Sequence, residues 1–188
     1  MADRRTRPAS RTPVTLRTTV RLEDGEVIRD IVSSTGLFRP DEIGIAVELL
    51  GERLRVGLAS GYHFIFAERE GRVLGYSCYG PVPLTLHSYD LYWIAVRKEV
   101  QGTGIGKILL ERSEAAIGEL GGRKIYIETS SKKMYHGTRR FYERCGYMAE
   151  ATLREFYSPG DDKVIYVKQI GSSDGSDRRA TEGKKVRR

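Results

Sequence analysis

The segment Gln101-Gly-Thr-Gly-Ile-Gly-Lys107 puts three glycines between an apolar run, Asp90 to Val96, and an amphipathic stretch that begins at Ile105. Glycines at a helix start let the backbone approach a ligand closely, and the unpaired N–H groups and helix dipole there favour negative charge. A diphosphate suits such a cradle. A Walker A loop needs a glycine and a hydroxyl where this chain has Gln101 and Ile108, so nucleotide hydrolysis of that type is excluded. The dinucleotide fingerprint comes closer, with Gly102 and Gly104 in place and Glu128 downstream as a ribose ligand. It fails twice: Gly106 arrives one residue early, and five residues separate Val96 from Gly102 where a Rossmann strand runs almost straight into the turn.

Other reactive groups are sparse. Cys78 and Cys145 lie far apart without ligand spacing, and neither sits beside a histidine that could serve as its base. His63, His87 and His136 form no metal pattern, so no metal is expected.

The elements that must hold the loop follow from periodicity. Val14 to Leu22 alternates as a first strand, and Asp24 caps a helix to about Ser34. Pro40-Asp41-Glu42 opens a second helix whose stripe is Ile43, Ala46, Val47, Leu49, Leu50 and Leu54. Tyr62 to Glu70 and Arg72 to Tyr79 read as an antiparallel hairpin, and Asp90 to Val96 as a central strand. Ile105 to Leu120 is a helix stopped by Gly121-Gly122. Lys124 to Thr129 is then a strand parallel to Asp90–Val96. A short helix from His136 to Cys145 and a hairpin around Ser158–Asp161 close the chain. The order predicts an α/β fold built on a mixed sheet with a parallel pair in its middle.

With 188 residues, one domain over residues 14–170 is expected. The net charge of +7 invites a nucleic-acid reading, but residues 1–13 and 171–188 each carry +3, leaving the rest nearly neutral. Those two segments read as disordered basic tails, and no specific nucleic-acid partner is expected. The longest apolar run, Leu91 to Val96, is too short for a membrane span, and the N-terminus lacks a secretory pattern, which predicts a cytoplasmic protein.

Gln101, Gly104 and Gly106 also satisfy Q/R-x-x-G-x-G/A after a strand, and here the sequence resembles motif A of the GNAT N-acetyltransferase superfamily. Tyr62 to Tyr79 looks like that family's central hairpin, Asp90 to Val96 like its fourth strand, and Phe141-Tyr-Glu-Arg-Cys-Gly-Tyr147 like its FYxxxGF ending. The likeness covers residues 62–170; residues 14–61 match only by position. Lys98 departs from the proline of many members, which should affect loop rigidity more than chemistry.

The resemblance implies a sheet splayed between the fourth and fifth strands and acetyl-CoA as cosubstrate. It implies that the main chain of Ile94, Ala95 and Val96 pairs with the pantetheine arm. The amides of Gln101, Gly102, Thr103, Gly104, Ile105, Gly106 and Lys107 would hold the pyrophosphate, with side-chain donors from Gln101 and Thr103. Tyr142 occupies the family's acid position. Asp90 matches a glutamate of the protein-acetylating members, and alternation puts it on one face with Tyr92, Ile94 and Val96. Glu128, at the end of the neighbouring strand, is the other candidate base. The expected reaction is transfer of an acetyl (acyl) group to a primary amine by direct attack in a ternary complex; the alternative is a non-catalytic sensor of coenzyme A or a nucleotide. A small-molecule or peptide amine is the expected acceptor. Tyr76, Tyr79, Tyr89, Tyr92, Tyr126 and Tyr135 fall on segments around it, with Asp161 and Asp162 as charge partners for a cationic amine. The closing edge hairpin could support a homodimer.

Overall fold

The computed structural model describes residues 12–171, so the two expected tails lie almost wholly outside the described residues. The elements are β1 (Thr15–Arg17), α1 (Asp24–Thr35), α2 (Pro40–Val56), β2 (His63–Arg69), β3 (Arg72–Pro81), β4 (Ser88–Val96), α3 (Ile105–Glu119), β5 (Lys124–Ser130), α4 (His136–Arg144), β6 (Met148–Ser158) and β7 (Asp161–Gln169). The strands form one sheet in the order β1-β2-β3-β4-β5-β7-β6. Among the described strands only the β4–β5 pair is parallel, and α3 makes the crossover between them.

Alternation along the strands feeds two cores, one on each face of the sheet. Phe64, Phe66, Tyr76 and Cys78 point toward α1 and α2, where Ile28, Ile31, Val32 and Leu50 are buried. Ile65, Leu74, Leu91, Ile125 and Ile127 point the other way, onto Ile105, Leu109, Ile117 and Tyr142 of α3 and α4. Strand β1 is shorter than its sequence suggests. The Arg17 guanidinium reaches Asp24 with contacts of 2.8 and 2.9 Å, and the Arg21 amide donates to the same carboxylate at 2.8 Å. These bonds turn the chain into α1. Asp24 is thus the first residue of the helix and a buried anchor rather than its cap.

Two irregularities shape the centre of the sheet. The β4–β5 ladder holds only three pairs, from Ser88↔Lys124 to Asp90↔Tyr126, and beyond them the strands separate. Meanwhile β4 keeps pairing with β3 as far as Val96, and β5 with β7 as far as Ser130. The result is a fork that opens after Asp90 and Tyr126, the splay expected between the fourth and fifth strands.

The second irregularity is a bulge in β4, where Cys78 pairs with Trp93 and Tyr79 with Leu91, leaving Tyr92 as the extra residue. It corrects the expected alternation. Tyr89 and Leu91 pack on the α3/α4 core, and so do Ile94 and Val96, whereas Trp93 and Ala95 belong to the α1/α2 core. Asp90, opposite in phase to Leu91, therefore does not share a face with Ile94 and Val96. A period of two cannot survive an inserted residue.

Candidate active site

The glycine loop is held from below. After Val96 the Arg97 amide donates to Leu74 O at 2.8 Å and its Nε to Val73 O at 2.8 Å, which fixes the exit of β4. A single 3-10 turn, Lys98–Val100, follows. The Lys98 amide donates to Ser34 Oγ at 3.2 Å, a bond proline could not make, so this departure from the family pattern ties the loop to α1.

Gly102 and Gly104 have φ of +79° and +91°, in the left-handed region that favours glycine. They swing the chain into α3, whose first residue, Ile105, is buried in the core. The Ile108 amide makes the first intrahelical bond, to Gly104 O at 3.1 Å, so the amides before it have no acceptor within the helix. This is a cradle for an anion. The side chains of Gln101 and Thr103 are engaged inside the loop instead: Gln101 Nε2 donates to Val96 O at 3.2 Å, and Thr103 Oγ1 to Val100 O at 2.7 Å. The backbone is left as the main source of donors.

Ile94, Ala95 and Val96 border the open side of the fork. Their β4 edge facing β5 has no partner strand there, so an extended ligand arm can hydrogen-bond along it. An arm laid along that edge would lead from the loop to the vertex of the fork at Asp90. These features fit a diphosphate joined to an extended amide chain, as in coenzyme A.

Tyr142 stands on one side of the sheet and the carboxylates on the other. It belongs to the α3/α4 core, 5% exposed, with its ring near those of Phe141, Tyr147 and Tyr166. Burial, helped by Cys145, pushes its phenol well above the ordinary tyrosine value, so it stays protonated as a donor. Across the sheet Asp90, Tyr126 and Glu128 share a face, since Asp90 and Tyr126 are paired and Ile125 and Ile127 point into the opposite core. Burial raises the Asp90 carboxyl to about 6; the charge of Glu128 adds to the rise, and Lys163 opposes it. Glu128 is half exposed and ion-paired with Lys163 at 2.6 Å.

Aromatic rings border this second face. Phe38, from the α1–α2 connection, lies 4.9 Å from Trp93 and 6.5 Å from Tyr135, whose hydroxyl donates to Leu37 O at 2.9 Å. Tyr157 is raised to about 12 by burial first and then by the nearby charges of Glu128, Asp161 and Glu42. Of the six tyrosines placed around the acceptor from sequence, Tyr92, Tyr126 and Tyr135 lie on this side. Tyr76 is sealed in the α1/α2 core, and Tyr79 and Tyr89 pack on the α3/α4 core. Asp161 and Asp162 are not the charge partners anticipated. Asp161 is buried against the Ser130 hydroxyl and Lys132, and Asp162 accepts the Glu155 amide at 2.8 Å. Phe38, Trp93, Tyr157 and Lys163 were missed. Their sequence signal is weak, because three of the four reach the site from segments distant in the chain.

Neither cysteine has the setting of a nucleophile. Cys78 is buried and its thiol is pushed far up by burial, and Cys145 is raised by burial and by Glu114. No group of three His, Cys, Asp or Glu side chains among the described residues is placed to hold a metal. Nor is any helix among them long and apolar enough to cross a membrane.

A glycine loop with free amides beside an open strand edge, with a buried phenol on one face of the sheet and two carboxylates on the other, is suited to a transferase acting on a diphosphate-bearing thioester. The family profile described as "Acetyltransferase (GNAT) domain" matches residues 60–149. An uncharacterized N-acetyltransferase of Methanocaldococcus jannaschii is 32% identical over 117 residues, covering 60% of this chain and 69% of the relative. The crystal structure of a Desulfovibrio desulfuricans protein assigned to the GNAT acetyltransferases superposes with a TM-score of 0.83 at 46% identity, covering 85% of this chain and all (100%) of that one. An aminoglycoside 6'-N-acetyltransferase complexed with coenzyme A shares the fold, with a TM-score of 0.67 at 17% identity over 84% of this chain and 98% of that one. The chain belongs to the GNAT acetyltransferase family. It is an N-acetyltransferase that takes the acetyl group from acetyl-CoA.

Proposed function

We propose that this enzyme acetylates a cationic primary amine, of a small molecule or a peptide, by direct attack on acetyl-CoA bound in the β4–β5 fork. The observation that carries the reading is the fork itself, with the glycine loop beyond its open end, Asp90 at its vertex beside Glu128, and Tyr142 in the core on the opposite face of the sheet. The amides of Gln101 to Lys107 bind the pyrophosphate, and the main chain of Ile94 to Val96 pairs with the pantetheine arm. The acetyl carbon then lies at the vertex.

An alkylamine near its ordinary pKa of ~10.4 is almost wholly protonated at neutral pH, at a cost of roughly 4 kcal/mol to the nucleophile. Glu128 binds the ammonium, and Asp90 accepts its proton, directly or through one water. A carboxylate near 6 is poised for this work, since it is ionised at pH 7 and more basic than an ordinary aspartate. The leaving thiolate is already a fair leaving group, so the hydrogen bond from Tyr142 assists less than the base does. The aromatic border and the charges of Glu42, Asp90 and Glu128 favour an acceptor that carries positive charge.

Release of free thiol from acetyl-CoA, measured against a panel of primary amines, tests this. Turnover on cationic amines that is lost with Asp90→Asn supports the assignment. Equal turnover on neutral and cationic amines would remove the electrostatic part of it. A second copy of the chain would have β6 as its docking edge, for this outermost strand is exposed from Met148 to Tyr157.

A further inference from the structure

Lys163 lies on β7, and its pairing with Ser130 brings it to the open end of the fork on the face that carries Glu128. Its Nζ sits 2.6 Å from Glu128 Oε2 and 3.7 Å from the centre of the Phe156 ring, with the Tyr157 ring 5.9 Å away. The side chain is only 12% exposed. Its charge also acts on Asp90, whose proton affinity it lowers. A primary ammonium of the chain itself thus lies against Glu128 and beside Tyr157, two of the groups proposed to receive the acceptor amine.

No other lysine of the described residues has this setting. Lys168 pairs with Glu114 at 2.7 Å on the α3 side of the sheet, Lys132 with the buried Asp161 at 3.3 Å, and Lys107 with Glu111 at 3.6 Å on an exposed helix face.

We propose that Lys163 is itself an acceptor, acetylated on Nζ within the same molecule from bound acetyl-CoA; this rests on the proposed acetylation of cationic amines in the fork. The Lys163 ammonium gives one proton to Asp90 through one water, and the freed lone pair forms the new bond to the acetyl carbonyl carbon as that carbon's bond to sulfur breaks. The nitrogen then loses a second proton. One of the two protons released ends on the leaving thiolate and the other in solvent, so ammonium and thioester become amide, thiol and one proton. Acetylation removes the charge on Lys163, breaks its ion pair and frees Glu128 for an external ammonium.

The test is the mass of the protein, followed over time with full-length enzyme, acetyl-CoA and no added amine, with peptide mapping of the site. The expected result is one acetyl group on Lys163, gained at least about tenfold faster than on the exposed Lys124 and Lys133, at a rate independent of protein concentration. Lys163→Arg, which keeps the charge, should abolish that label, and Asp90→Asn should slow it by about 100-fold or more. If Lys163 stays unlabelled while an added amine is acetylated, this proposal falls and the proposed function stands. Labelling no faster than on Lys124, or at a rate that scales with protein concentration, also overturns it. If no thiol is released with or without an amine, the proposed function falls too.

Discussion

Replacing Glu128 by Gln removes a negative charge from beside Asp90 and so moves the pH at which Asp90 takes up its proton. Its surroundings raise the wild-type carboxyl to about 6, above the ordinary aspartate range. Burial is the larger cause and Glu128 the second, with Lys163 acting against both. Gln at 128 abolishes the second cause and leaves the first, so the midpoint should fall by about one unit at most and should not reach the ordinary value. The assay is kcat/KM for a cationic amine at saturating acetyl-CoA, followed from about pH 5 to pH 8 by thiol release. With Asp90 as the base, log kcat/KM rises with unit slope to about pH 6 and is then flat until the amine itself deprotonates near ~10. Glu128→Gln shifts the break downward, and Asp90→Asn removes it while lowering the plateau by about 100-fold or more. A break that stays near pH 6 in both variants would show that the titrating group is neither Asp90 nor coupled to Glu128.

Asp90 also bears on stability. Its folded-state value lies above the unfolded one, so its contribution is complete below about pH 4 and is lost as pH rises through about 6. Discounted for partial exposure, Asp90→Asn should stabilise the protein by about 1 kcal/mol at pH 8 and by nothing at pH 4, as read from Tm at the two pH values. Tyr142→Phe should lower turnover less than Asp90→Asn does, and the reverse ordering in kcat would sink the division of labour between acid and base. Gly104→Ala should weaken acetyl-CoA binding about five- to tenfold by calorimetry. A methyl group there has open space, but the backbone at φ +91° costs an L-residue about 1–2 kcal/mol. Tyr76→Phe should raise Tm, because the Tyr76 hydroxyl is buried without a hydrogen-bond partner and its removal relieves a desolvation cost of about 1–3 kcal/mol.

What the sequence determined by itself is local. Gly102 and Gly104 announce a turn that only glycine makes easily, the stripe from Ile105 to Leu120 announces the helix behind it, and the apolar run to Val96 the strand before it. Those three features are contiguous, so the anion cradle was legible before any folding was considered, and FYERCGY tied it to acetyl transfer by resemblance. The acceptor side was not legible, for two reasons. A one-residue bulge at Tyr92 reverses the alternation of β4, and nothing in DLYWIAV marks where the extra residue falls. The second reason is the strand order: β7 enters between β5 and β6, so Lys163 meets Glu128 across a pairing of residues far apart in the chain. Long-range register is set by how two faces of a sheet bury their side chains together, and no local pattern encodes it. The charge proposed to face the acceptor was therefore decided by the tertiary structure, while the loop proposed to hold the donor was written in seven consecutive residues.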